Sequence, residues 1–89
     1  MAIAVLYEFR GMNQEIYDRF IQETYHGEPM PGVLSHAAGP LDDGWWAFDV
    51  YESYEAGEKI ATPAVDRLEA MGVQRPTVRV LQVHNVVTS

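Results

Sequence analysis

The stretch Trp45-Trp46-Ala47-Phe48-Asp49-Val50-Tyr51-Glu52-Ser53-Tyr54-Glu55-Ala56 decides the architecture of this chain. Its first eight residues, Trp45 to Glu52, are aromatic and β-branched and read as a strand. Both parities are apolar. Trp46, Phe48 and Val50 point one way, and Trp45 and Tyr51 the other. Ser53 is a good helix cap, and Glu55 sits in the favourable first turn of the helix it opens. A strand apolar on both faces therefore feeds directly into a helix.

Working forward, the stripe Gly57, Ile60, Ala61, Ala64, Val65, Leu68 and Met71 has helical spacing. Thr62-Pro63 interrupts it. Proline lacks an N–H and crowds the preceding turn, while threonine is itself a cap, so a kink or two short helices are expected there. Gly72 ends the element. Pro76 to Val87, with Val78, Val80, Leu81, Val83, Val86 and Val87, reads as the last strand.

Working backward, Val33 to Ala38 reads as a strand, and Gly39-Pro40-Leu41-Asp42-Asp43-Gly44 as its hairpin connection to Trp45. With Gly39 opposite Trp45, Ser35 faces Asp49 and His36 faces Phe48; a slip of one residue would exchange the faces. Residues 2–9 form a compact apolar strand. Gly11 breaks it, Asn13 caps, and Ile16, Tyr17, Phe20, Ile21 and Tyr25 draw one helical stripe from Asn13 to Tyr25, with Gly27 as its stop. Glu28-Pro29-Met30-Pro31-Gly32 is a stiff loop.

The order is β-α-β-β-α-β in one domain, residues 1–89. Two interleaved βαβ crossovers give a ferredoxin-like α+β fold, a four-stranded antiparallel sheet with both helices on one face. Two helices cover one face only, so Trp46, Phe48 and Val50 would form an unusual apolar patch on a monomer. A homodimer through the sheet faces is the economical answer, since a chain of 89 residues gains from a shared core.

Thirteen acidic against six basic residues give a net charge of −7, which disfavours nucleic acid and anionic membranes as partners. No cysteine is present, which excludes disulfides, thiolate zinc sites and thiol catalysis. The start Met1-Ala2-Ile3-Ala4-Val5-Leu6-Tyr7 lacks a basic region and reads as a strand rather than a signal peptide. A cytoplasmic location is the expectation.

Tyr51-Glu52-Ser53-Tyr54-Glu55-Ala56 resembles the W-E-S-x-E-A segment that ends the third strand and opens the second helix in dimeric α+β barrel proteins. Among these, the resemblance is to small antibiotic-biosynthesis-monooxygenase-like proteins, including actinobacterial members of unassigned function with a similar Val83-His84-Asn85-Val86 ending. The strand-Gly-helix opening and the Pro-Gly before the second strand also fit. The resemblance implies the dimeric α+β barrel, and chemistries ranging from cofactor-free quinone-forming oxygenation to isomerisation or none. Tyr51 replaces the usual Trp. Ala61 stands where haem-degrading members carry a helical His, which speaks against haem.

Asp49, set between Phe48 and Val50, is the most telling polar residue. A carboxylate there needs a partner, a proton or a wet cavity. A structural hydrogen bond and a role as pocket acid or base are equally open; a His or Tyr on its face is the first partner to look for, then Ser35. His84 reads as a packed interface residue or a proton acceptor. His36 is a candidate whose face depends on the register, and His26 reads as a solvated cap residue. Tyr7, Trp45 and Tyr51 are the candidate aromatic walls. A triad of His36, His84 and Asp49 is a conceivable metal set but a weak one. No phosphate-loop, dinucleotide or nucleophile-elbow motif occurs.

Three functions stay open. One is a cofactor-independent monooxygenase, cyclase or isomerase on an apolar aromatic or polyketide-like molecule. The second is a non-catalytic small-molecule binder or accessory subunit. The third is a structural dimer with a filled core.

Overall fold

A computed structural model describes residues 1–28 and 30–86. The elements are β1 (Ile3–Arg10), α1 (Gln14–Tyr25), β2 (Val33–Leu41), β3 (Gly44–Tyr51), α2 (Tyr54–Ala70) and β4 (Thr77–Gln82). The sheet order is β2-β3-β1-β4, with every pair antiparallel. This is the ferredoxin-like α+β arrangement expected. β4 is shorter than expected at both ends, and Val87 lies outside the described residues.

Register explains the core. On β1, Val5, Tyr7 and Phe9 are buried and stand opposite Asp49, Ala47 and Trp45 of β3. These residues share one sheet face and pack against Met12, Phe20, Leu68 and Val73. Glu8 and Arg10, of opposite parity, are exposed. Helix α1 begins at Asn13, whose side chain accepts from the Ile16 N–H at 2.9 Å, and Ser53 does the same for Ala56 at the start of α2. Helix α1 ends on His26, exposed and in the left-handed region at φ 52°.

Two expectations about local geometry fail. The β2–β3 connection is only Asp42-Asp43, because β2 runs on through Gly39-Pro40. Gly39 is a platform rather than a turn residue: an added Cβ would lie 2.9 Å from Trp46 Nε1. Pro40 is tolerated because β2 is an edge strand, where a missing N–H leaves no ladder bond broken. The register consequently shifts by one. His36 faces Asp49, and Ser35 faces Val50 on the other side of the sheet. A bulge between Val33 and Ser35 separates this stretch from the strand entry.

The second failure is in α2, which is one helix from Tyr54 to Ala70 with Pro63 inside it. Thr62 and Pro63 are both exposed. The carbonyl that loses its donor to the proline therefore faces water, while Ile60, Ala64 and Leu68 hold the turns on either side against the core.

Helices cover one face of the sheet. The other carries Leu6, Trp46, Phe48 and Leu81, all at least partly exposed, around a buried Val50.

Candidate functional site

Asp49 is 7% exposed and makes two side-chain hydrogen-bonding contacts. Its Oδ1 meets His36 Nδ1 from the neighbouring strand. Its Oδ2 accepts from the Tyr51 hydroxyl, two residues along the same face, at 2.9 Å. Tyr51 in turn meets the Tyr7 hydroxyl at 2.8 Å, and His36 Nε2 meets the Tyr17 hydroxyl at 2.5 Å. The result is one line of contacts, Tyr7–Tyr51–Asp49–His36–Tyr17, running across β1, β3, β2 and α1.

The direction of each bond follows from the chemistry of the partners. A carboxylate only accepts. Tyr51 spends its proton on Asp49, so Tyr7 donates to the Tyr51 oxygen. With Asp49 as acceptor, His36 donates Nδ1–H to it, and in the tautomer that this bond selects Nε2 accepts from Tyr17. Both arms thus donate toward Asp49, and the oxygens of Tyr7 and Tyr17 are the two ends. Burial, chiefly, raises the pKa of Tyr7, Tyr17 and Tyr25, and the charge of Asp49 adds to it. Tyr51 is raised most, chiefly by burial, with the charge of Asp49 and the bond it donates to Asp49 adding to the rise. These phenols therefore hold their protons at neutral pH. They can hand a proton on within the line but cannot serve as standing bases.

Two cavities meet at this line. An inner one of about 50 Å³ lies between the helices and the sheet, where Tyr17, His36, Asp49 and Tyr51 share the lining with residues such as Phe20 and Ala64. A cleft of about 290 Å³ opens between α2 and the β1–β4 side of the sheet, lined by residues including Val5, Val78, Val80 and Thr62. Tyr7, Tyr51, Ala61 and Val65 line both. The cleft exists because α2 does not reach over β4, which leaves Val78 49% and Val80 52% exposed on the helix-bearing face.

Of the candidates from sequence, Asp49, His36, Tyr7 and Tyr51 come together. His84 does not join them: it lies beyond the end of β4 and is exposed. Among the described residues no three His, Asp or Glu side chains gather as metal ligands, so the triad with His36 and Asp49 is not assembled. Trp45 is buried and packs against the Tyr17 ring at 5.3 Å between centroids, but it lines neither cavity. Ser35, on the opposite face, is no partner of Asp49. Tyr17 is the residue that sequence reasoning missed. The signal was its place in the inward stripe of α1, since a tyrosine turned toward a core needs a partner for its hydroxyl.

The arrangement of strands and helices can be set beside known structures. A proposed antibiotic biosynthesis monooxygenase from Chloroflexus aurantiacus superposes with a TM-score of 0.62 at 17% identity, over 98% of each chain. SnoaB, a cofactor-independent oxygenase from Streptomyces nogalater, in a mutant form, gives 0.63 at 13% identity, covering 99% of this chain and 98% of its own. This chain has the antibiotic-biosynthesis-monooxygenase-like fold. A third such protein, also a proposed antibiotic biosynthesis monooxygenase, from Deinococcus radiodurans, gives 0.61 at 13% identity over 100% of this chain and 98% of its own. No protein-family model matches the sequence, and no curated relative matches it. Among the described residues, no helix of this monooxygenase-like fold is long and apolar enough to cross a membrane.

Proposed function

We propose that this protein is a cofactor-independent monooxygenase acting on a hydroxylated aromatic molecule held in the cleft between α2 and β4. The observation that carries the reading is the line of contacts from Tyr7 to Tyr17, with a carboxylate–imidazole pair at its centre and a ligand-sized cleft at its Tyr7 end. Small-molecule sites begin at about 300 Å³ and combine apolar walls with a few placed polar groups. The oxygenase activity stated for SnoaB, which shares this fold, supports the same reading.

The chemistry needs a proton acceptor and an apolar cage. A phenolic substrate donates to the Tyr7 oxygen. Its proton enters the line as Tyr7 passes its own to Tyr51 and Tyr51 passes its own to Asp49, beside His36. The phenolate left in the cleft is electron-rich and reduces dioxygen. For a phenol oxidised to a quinone, the ring gives up four electrons and two hydrogens, gains one oxygen atom, and the other oxygen leaves as water. No further reductant is required. The protein would work as a homodimer through the sheet face that carries Trp46 and Phe48, leaving the cleft on the opposite face free.

The variant Asp49→Asn tests this. The amide can still accept from His36 and can donate to Tyr51 in place of accepting, so the packing survives while the charge that draws the proton is lost. Oxygen consumption with a panel of hydroxynaphthalenes and hydroxyanthracenes is expected to fall by about 10²-fold, with the fold retained. A melting temperature that drops while ligand binding stays intact, in a protein that turns over none of the panel, would instead make the line a structural brace.

A further inference from the structure

We infer that the inner cavity is a hydration site, in which water joins the hydroxyl of Tyr25 to the two ends of the line at Tyr7 and Tyr17. This site goes beyond the oxygenase reading and stands whether or not that reading holds. Unspent hydrogen-bonding capacity is the first argument. A tyrosine hydroxyl has one proton to give and an oxygen that accepts. Tyr7 and Tyr17 each give theirs within the line, to Tyr51 and to His36, and their oxygens remain as acceptors. Tyr25 has no side-chain hydrogen bond among the described residues. Its ring is half-buried and held edge-on by Phe20, at 6.0 Å between centroids. A buried water makes about three hydrogen bonds, and this set offers it two acceptors and one donor.

Room and place are the second argument. Tyr7, Tyr17 and Tyr25 all line the inner cavity. The charge of Asp49 acts on all three phenols, so they stand around one carboxylate. Tyr25 feels that charge without bonding to the line, and a bridging water is what spans such a gap. A water takes about 30 Å³ in the liquid, so a cavity of about 50 Å³ admits about one or two. Met12, Phe20, Ile60 and Leu68 make the rest of the wall apolar, which leaves the polar side as the place where water is held.

The water site gives Tyr25 a part in the line. Helix α1 carries both Tyr17 and Tyr25, so water bonded to Tyr25, Tyr17 and Tyr7 closes the line through that helix. Tyr7 also lines the cleft, which Tyr25 does not. Tyr25 is therefore a positioning residue. It acts on the cleft only through water and the Tyr7 phenol, and touches nothing bound there.

Water itself is the probe. Oxygen-17 relaxation of the solvent, followed from low to high field, reports water that stays in the protein longer than the protein takes to tumble, and is blind to exchange of hydroxyl protons. The wild type is expected to show such a dispersion. Ala64 lines the inner cavity and not the cleft, so Ala64→Leu fills the space without removing a polar group and should abolish the inner contribution. The smaller Ala64→Val should reduce it, and serves if leucine disturbs folding. Tyr25→Phe keeps the ring on Phe20 but loses the hydroxyl, and should lower the dispersion as well. Val80→Trp, in the cleft alone, should leave it unchanged. A dispersion equal in the wild type and the Ala64 variants would overturn the water site, as would one that only Val80→Trp lowers. A dispersion lost in Ala64→Leu yet unchanged in Tyr25→Phe would overturn the part given to Tyr25.

Discussion

Tyr51 shows how one side chain ties stability to the site. It is 1% exposed, donates to Asp49 and accepts from Tyr7. Removing its hydroxyl leaves a buried carboxylate oxygen without that partner, which costs about 1–3 kcal/mol. Tyr51→Phe should therefore melt lower at neutral pH. The same residue sets an alkaline limit. The pKa values of Tyr7, Tyr17, Tyr25 and Tyr51 all lie above the ordinary 10.0 in the folded protein. Above that pH the unfolded chain releases these protons and the native one keeps them, so the unfolded state binds fewer protons and stability declines as pH rises. Below it the contribution is fully present. Urea denaturation from about pH 8 to about pH 11 should show a plateau and then a fall, shallower in Tyr51→Phe because one raised group is gone. A wild-type fall no steeper than that of the variant would mean that Tyr51 keeps no raised pKa.

At the scale of elements, α2 is positioned by a glycine. Gly57 is buried, and a Cβ there would lie 2.9 Å from Cδ2 of the Tyr51 ring, close to the rigid root of a side chain that is itself locked in the core. Glycine in a helix interior costs about 1 kcal/mol relative to alanine, so an ordinary Gly→Ala change would stabilise. Here the sign should invert. Gly57→Ala forces either the helix or the Tyr51 ring away, and overpacking of this kind costs about 1–3 kcal/mol. Chemical denaturation decides between the two signs; a gain in stability would show that α2 can lift off the sheet freely. Pro63 teaches the opposite lesson about the same helix. Its local signal for a break was real, but one exposed carbonyl without a donor is a small loss beside the buried stripe on the other side.

For the whole molecule, the uncovered sheet face is the dominant fact. Leu6, Trp46, Phe48 and Leu81 surround Val50 with no helix above them. Burying such side chains is favourable by about 25 cal/mol per Å² of apolar surface, and a second copy offers the same surface in a self-complementary pairing. Sedimentation should give twice the chain mass. Phe48→Glu, which places a charge in the middle of that face, should return it to the monomer without touching the cleft, since Phe48 is on the opposite side of the sheet from Asp49. A wild-type monomer at micromolar concentration would remove both the dimer and this account of the doubly apolar β3.

By itself the sequence determined the order of elements, the helix starts at Asn13 and Ser53, the two-faced β3 and the buried carboxylate at Asp49. These are short-range signals: periodicity, caps and a charge between apolar neighbours can each be read within a dozen residues. The tertiary structure alone decided which residues meet that carboxylate. A two-residue turn in place of a six-residue loop moved the β2 register by one and brought His36, rather than Ser35, opposite Asp49. In a pleated strand a single step exchanges faces, so no local pattern could choose between them. The same holds for the meeting of Tyr17 with His36 and for the side chains that line both cavities. Both depend on how far α1 and α2 sit from the sheet, a distance set by Gly57 against Tyr51 and by packing between residues far apart in the chain.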